Sequence, residues 1–240
     1  GWMWLRDSSL VRVRDLQVTG TTSAAEPRIR DALQSAAAGM TTLHVREDVL
    51  RKAVAQFPSV EGLRTQTDFP HKLTIEVLER HPAAVLASGD QMVAVTGGGL
   101  LLRDVGAPDT VPEIDLPSPV VGERVQDPRL LGALQVAAAA PPALARRTTS
   151  IQWGPRGLSA HLEAGPPLIF GSSAEAANKW AAAARVLAEP SAAGATYLDL
   201  RIPGRVAAGG LGPLPEAPPA TSSDPVAPAV TATPSPQPQP

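Results

Sequence analysis

Residues 73–85 read LTIEVLERHPAAV. Leu73, Ile75 and Val77 alternate with Thr74 and Glu76, the period-2 pattern of a strand with one buried face. The run closes on the charged pair Glu79 and Arg80, then meets His81 and Pro82 with more apolar sequence beyond. Proline has no amide hydrogen to give a central ladder and biases the residue before it toward an extended conformation. Pro82 therefore marks a joint where one folded region hands the chain to another. Glu79 and Arg80 at that joint read as a solvated or inter-domain ion pair, with partner contact as the alternative.

Upstream of the joint the periodicity changes twice. Val13, Leu16 and Val18 lead to Gly20, an extended segment whose parity slips, so a bulge or a late strand start is expected. Pro27 sits where a first helical turn tolerates it, and Ile29, Leu33, Ala36 and Ala37 recur at helical spacing until Gly39. A second helix follows in VREDVLRKAVAQFP: Glu47 and Asp48 occupy its first turn, Val49, Leu50, Ala53, Val54 and Phe57 share one face, and Pro58 ends it. Leu63, Thr65 and Thr67 form a weaker strand, DFPHK turns, and LTIEVLER returns as the hairpin partner. The order predicts a three-stranded sheet covered on one face by two helices.

Composition narrows what such a chain does. It has 240 residues, 43% hydrophobic, with 3% aromatics and a formal net charge of -2. Lys and Arg are interspersed with Asp and Glu, and base-stacking surface is scarce, so no nucleic-acid partner is expected. There is no cysteine, hence neither disulfide framework nor thiolate site. His44, His71, His81 and His161 are far apart in sequence and show no metal-ligand spacing, so no metal is expected. No carboxylate pair carries the apolar surroundings of a general acid, and GGG at 97–99 is a hairpin turn rather than a phosphate loop. The sequence predicts no enzyme, no cofactor and no small-molecule substrate. No apolar run approaches the roughly 20 residues of a membrane span. At the start, GWMWLRDSSL places Trp2 and Trp4 either at a bilayer–water boundary or in the core of the first strand. Ten prolines between residues 212 and 240 predict a disordered, partly polyproline tail.

The words that fill this frame resemble the bacterial division protein family FtsQ, also called DivIB. The resemblance rests on VTGTT near residue 20, IRDAL, the link bounded by Gly39, AQFPSVEGLRTQTDFPHKLTIEVLERHPAAVL and MVAVTGGGLLL. A second block, from GLSAHLEAGPPLIFG through a Lys-Trp helix to YLDLRIPGRV, extends it to residues 4–206. The resemblance implies a bitopic protein of the cytoplasmic membrane, acting outside it at the division septum. It implies an α+β fold: a POTRA domain (β-α-α-β-β) at 10–81, a mixed β domain with two helices at 82–211, and the tail at 212–240. Residues 1–9 are then the membrane-proximal end of a transmembrane segment absent from this chain.

In the second domain, residues 83–95 are expected as strands, 97–99 as a tight turn and 100–102 as its return. One helix is expected near 127–140, and a second starting from a Ser172–Glu175 capping box with Ala176, Trp180, Ala183 and Leu187 on one face. The family resemblance implies a non-enzymatic scaffold whose closing sheet edge binds division proteins of the FtsB and FtsL type, coupled to septal peptidoglycan synthases. Strand addition at a free edge is the mechanism that fits. Tyr197, Asp199, Leu200, Arg201 and Gly204 match the family's motif, with Arg201 facing an acidic group on the partner. Ile202, Arg205, Val206 and Ala207 complete the expected contact, residues 197–201 forming one strand and 205–208 a short outer one. Ile202 and Pro203 stand where an aromatic follows D-L-R in the family, and small residues fill 207–210. Two alternatives are a POTRA-bearing translocation component, which needs a following β-barrel, and a peptidoglycan-binding or processing module, which needs clustered carboxylates or an aromatic platform.

Overall fold

The computed structural model describes residues 11–210, so the expectations for 1–9 and for 212–240 lie outside the described residues. The first elements follow the predicted order: β1 (Asp15–Thr19), α1 (Glu26–Ala37), α2 (Glu47–Val54), β2 (Val60–Asp68) and β3 (Lys72–Glu79). Their sheet has the order β1-β3-β2, with β1 parallel and β2 antiparallel to β3. The alternation in β3 does what its period dictates. Leu73, Ile75 and Val77 are buried, and they meet Ile29, Leu33, Leu50 and Val54 from the two helices in one cluster. The parity slip before Leu16 is a late strand start, because Val13 N donates instead to Met40 O at 3.0 Å.

Beyond Pro82 the chain builds a second, larger sheet. Its strands are β4 (Ala84–Ser88), β5 (Gln91–Val95), β6 (Leu101–Leu102), β7 (Glu113–Asp115), β8 (Thr148–Gly154), β9 (Gly157–Leu162), β10 (Leu168–Gly171), β11 (Tyr197–Asp199) and β12 (Ala207–Gly209). Three helices, α3 (Pro128–Ala138), the short α4 (Pro142–Ala145) and α5 (Ala176–Leu187), complete this part. The strand order is β12-β11-β10-β9-β8-β7-β4-β5-β6. The hairpin β4–β5 and the group β8–β10 are joined only through β7, which pairs in parallel with both β4 and β8. The chain is thus α+β, with a three-stranded sheet under two helices followed by a mixed sheet.

Trp180 centres the larger core. It is fully buried, its Nε1 donates to Val136 O at 2.8 Å across from α5 to α3, and its ring lies 4.8 Å from that of Phe170. The glycine triplet makes the expected turn, with Gly99 N donating to Thr96 O at 2.9 Å. It also has a packing role: a Cβ on Gly97 would stand 2.4 Å from that of Ala138, so only glycine lets α3 approach this hairpin.

The expected capping box at Ser172 does not form. Helix α5 begins after Glu175, which adopts a left-handed backbone (φ 53°) and makes no side-chain cap. The buried Lys179 explains the difference: its Nζ donates to Phe170 O at 2.9 Å and Ser172 O at 3.1 Å, holding that segment as the end of β10 rather than as a helical turn. Burial pushes the Lys179 amine below its usual range, partly opposed by Glu175.

Candidate partner-binding edge

The two borders of the larger sheet differ. At one end, β6 is covered by the chain itself, since Leu101 N donates to Glu123 O and Val125 N to Gly99 O. At the other end β12 pairs with β11 alone, in the register Tyr197↔Gly209, Leu198↔Ala208 and Asp199↔Ala207. Leu198 N donates to Pro167 O on the β10 side. Antiparallel alternation then turns Ala208, its partner across the ladder, away from β11, so the N–H and C=O of Ala208 point outward. Among the described residues no strand pairs with that side.

Both strands depart from their expected lengths. Strand β11 stops at Asp199 rather than running to 201, because the Asp199 carboxylate turns back on its own chain. Its Oδ1 accepts Arg201 N at 3.1 Å and Arg201 Nε at 3.0 Å, and its Oδ2 accepts Arg201 Nη2 at 2.7 Å. The arrangement competes with the ladder for the backbone, as Asx-type turns do. The Arg201 hydrogen bond holds the Asp199 carboxyl below its ordinary range, and Asp199 in turn raises the Arg201 guanidinium. The chain then turns through Pro203 and Gly204, with Arg205 N donating to Ile202 O at 2.9 Å, and β12 begins at Ala207 instead of 205. Arg205 therefore belongs to the turn. Val206 precedes the strand and packs half-buried against the larger core.

The expected contact residues separate by depth. Leu200 is fully buried, so it supports the edge from beneath and presents nothing to a partner. Ile202 is 63% exposed, an apolar side chain at the tip of the turn. Asp199, Arg201, Ile202, Arg205 and Ala207 line one shallow depression of about 520 Å³. Tyr197 lies across Gly209: a Cβ there would stand 2.0 Å from the Tyr197 ring. The absence of a side chain at Gly209 is what lets the ring lie over β12, and Gly210 likewise leaves room for Thr196, whose side chain would stand 2.3 Å from a Cβ there. Arg156, from the β8–β9 turn, covers the ring at 4.7 Å from its centroid. The sequence offered no signal for Arg156, since its partner lies far along the chain.

At the joint, Glu79 and Arg80 do not form an ion pair. Glu79 accepts from Thr22 N, Thr22 Oγ1 and Ser23 Oγ, at 3.1, 3.2 and 2.7 Å, tying down the approach to α1. Arg80 Nη1 donates to Pro58 O at 2.7 Å and also to Val60 O. The link between the two sheets is a residue that sequence reasoning missed. Asp104, just after β6, accepts Ser59 N at 3.1 Å and Ser59 Oγ at 2.5 Å, and its backbone O accepts Arg28 Nη2 at 3.3 Å. Beside these contacts a groove of about 540 Å³ is lined by Glu79, Arg80, His81, Pro82 and Val111 among others.

Of the histidines, His71 contacts Arg12 O through Nδ1 at 3.0 Å and His44 N donates to Thr41 O. Among the described residues no three His, Cys, Asp or Glu side chains gather as a metal site, and no helix is long and apolar enough to cross a membrane.

A family model described as "POTRA domain, FtsQ-type" matches residues 11–80. Curated proteins that resemble the chain include three, each named cell division protein FtsQ. That of Mycobacteroides abscessus is 28% identical over 189 residues, 78% of this chain and 58% of that protein. That of Novosphingobium aromaticivorans is 33% identical over 144 residues, 59% of this chain and 42% of its own length. That of Streptomyces collinus is 25% identical over 221 residues, 88% and 83% of the two lengths. The chain thus spans about half the length of the first two relatives.

Proposed function

Because the chain belongs to the FtsQ/DivIB family of cell division proteins, we propose that it is a non-enzymatic division scaffold that takes a partner segment as an added strand on β12. The observation that carries this reading is the border itself: β12 ends a nine-stranded sheet, is built of Ala207, Ala208 and Gly209, and turns the Ala208 backbone outward. Open edges are normally blunted by charge or proline. The long edge strand of the smaller sheet, β2, carries Glu61, Arg64 and Asp68, whereas the short β12 carries no charge. Around it, Tyr197, Asp199, Arg201, Ile202, Gly204, Arg205, Val206 and Ala207 shape the approach, with Leu200 holding the strand from inside.

On this reading the partner is a division protein of the FtsB type accompanied by FtsL, and the complex acts beside septal peptidoglycan synthases. The protein sits on the outer side of the cytoplasmic membrane at the septum, held by a single span preceding residues 1–9. Residues 10–81 act as the POTRA domain and 82–211 as the β domain, joined at Glu79, Arg80 and Pro82.

The test uses Ala208→Pro. Proline is tolerated on an edge strand whose N–H faces solvent, and because Ala208 is partly buried against the larger core, melting and circular dichroism are measured on the variant and binding is compared on the folded protein. The substitution removes an outward donor that an added strand needs and leaves a partner carbonyl unsatisfied, about 1–3 kcal/mol. Titration with a membrane-proximal FtsB-type peptide should show affinity falling roughly 10- to 100-fold. Ala208 and Val206 both pack partly buried against the larger core, but only the Ala208 N–H points outward, so Ala208 is the probe that reads strand addition. Undiminished binding by the Ala208→Pro protein removes this edge from the proposal.

A further inference from the structure

The β2–β3 hairpin ends on Phe69 and Pro70. Phe69 is 72% exposed, the most exposed aromatic side chain among the described residues. One exposed apolar side chain is ordinary on any protein surface; what sets this one apart is its neighbourhood. The hairpin tip is stitched to the place where the described chain enters the fold. His71 O accepts Arg14 N at 2.9 Å and Asp15 N at 3.2 Å, His71 Nδ1 lies 3.0 Å from Arg12 O, and Pro70 O accepts Thr42 Oγ1 at 2.9 Å. The residues just before this point in the sequence include Trp2, Met3, Trp4 and Leu5. The exposed ring and the point where the described chain begins therefore belong to the same end of the three-stranded unit. Arg12 and Arg14 are exposed there, and Lys72 is half-buried beside Asp68 at 4.0 Å. With Asp15 and Asp68 against Arg12, Arg14 and Lys72, cations outnumber anions at this end.

We propose that the β2–β3 tip is a bilayer-contact surface: Phe69 seats in the headgroup–acyl boundary while Arg12 and Arg14 meet the phosphates of anionic lipid. Aromatic rings partition to that depth, and basic side chains near the surface are drawn to anionic leaflets. The contact rests on the membrane-anchored reading above, since a span before residue 11 is what brings the tip within reach of lipid. It orients the three-stranded unit on the membrane through two points, the chain entry and the hairpin.

The absence of cysteine allows a single label. Thr67→Cys, exposed beside the tip, takes an environment-sensitive nitrobenzoxadiazole dye, and the chain is tethered by an N-terminal polyhistidine tag. The vesicles contain phosphatidylcholine, phosphatidylglycerol and a nickel-chelating lipid. The expected result is a blue-shifted emission quenched by spin-labelled lipid. The same dye at Val121→Cys, in an exposed loop of the larger unit, should stay solvent-like. Adding Phe69→Ser to the Thr67→Cys protein should return its emission to the solvent value, with circular dichroism unchanged. Solvent-like emission at position 67, indifference to Phe69→Ser, or equal quenching at position 121 overturns the proposal. Equal quenching on phosphatidylcholine without phosphatidylglycerol overturns the part given to Arg12 and Arg14. The tag supplies the tether, so a negative result sinks the tip contact alone. Anchoring fails separately, if the natural protein fractionates away from membranes.

Discussion

Asp199 turns back on its own strand to hold Arg201, and that pairing has a pH signature. The hydrogen bond from Arg201 lowers the Asp199 pKa in the folded state. A carboxyl with a depressed folded pKa contributes stability above its unfolded pKa and loses it as pH falls through the folded value. The native protein should therefore melt slightly above an Asp199→Asn variant at neutral pH, with the two curves converging in acid below the ordinary carboxylate range. Melting measured across pH checks this, and a constant gap down to the most acid point would show that the carboxylate's charge is not what counts. The glycine at 209 has a residue-scale cause as well. Small residues fill 207–210, and at Gly209 the reason is packing: the Tyr197 ring lies there and Arg156 covers that ring. The Tyr197 contacts with Gly209 and Arg156 join residues distant in sequence, and the Asp199–Arg201 pair, at the strand's own spacing of two, is indistinguishable in sequence from two neighbours on one face of a strand.

Elements with long, regular patterns were the legible ones. Strand β3 shows alternation over its whole length, and α1 and α2 each bury one stripe, so their type and inward faces follow from local sequence. Helix α5 had a legible face and an illegible start. Ala176, Trp180 and Ala183 point inward as their spacing requires, whereas the capping pair failed because Lys179 claims the Phe170 and Ser172 carbonyls. The face also sets a stability expectation. Trp180 fills the space between α3, α5 and β10, so Trp180→Ala should destabilise the larger core by about 3–5 kcal/mol. Urea denaturation measures it. A loss under about 1 kcal/mol, the scale of a surface change, would mean that the core refills the space.

At the scale of the molecule, two separate apolar clusters lie under two sheets, and Asp104 couples them by gripping the buried Ser59. Removing the carboxylate leaves the Ser59 N–H without its acceptor in a place shielded from water, a loss of about 1–3 kcal/mol. Asp104→Ala should therefore loosen the two units relative to each other while each core persists. Spin labels on cysteines introduced at Thr67 and Val121 read this as a broadened distance distribution by electron–electron double resonance. A width identical to that of the unmodified joint would assign the coupling to the Pro82 connection instead.

The sequence by itself determined the class of fold, the order of elements through β3 and the inward faces of the regular segments. Burial of a periodic face is a local property of the chain, so its pattern is written in adjacent residues. Tertiary structure alone decided where the larger sheet closes and what stands at its border. Strand β7 is three residues long, too short to show an alternation, yet it joins the β4–β5 hairpin to β8 and so aligns all nine strands. The length of β11, the start of β12 and the outward turn of Ala208 follow from that closure and from Asp199 gripping Arg201, because register between strands is set by partners distant in sequence.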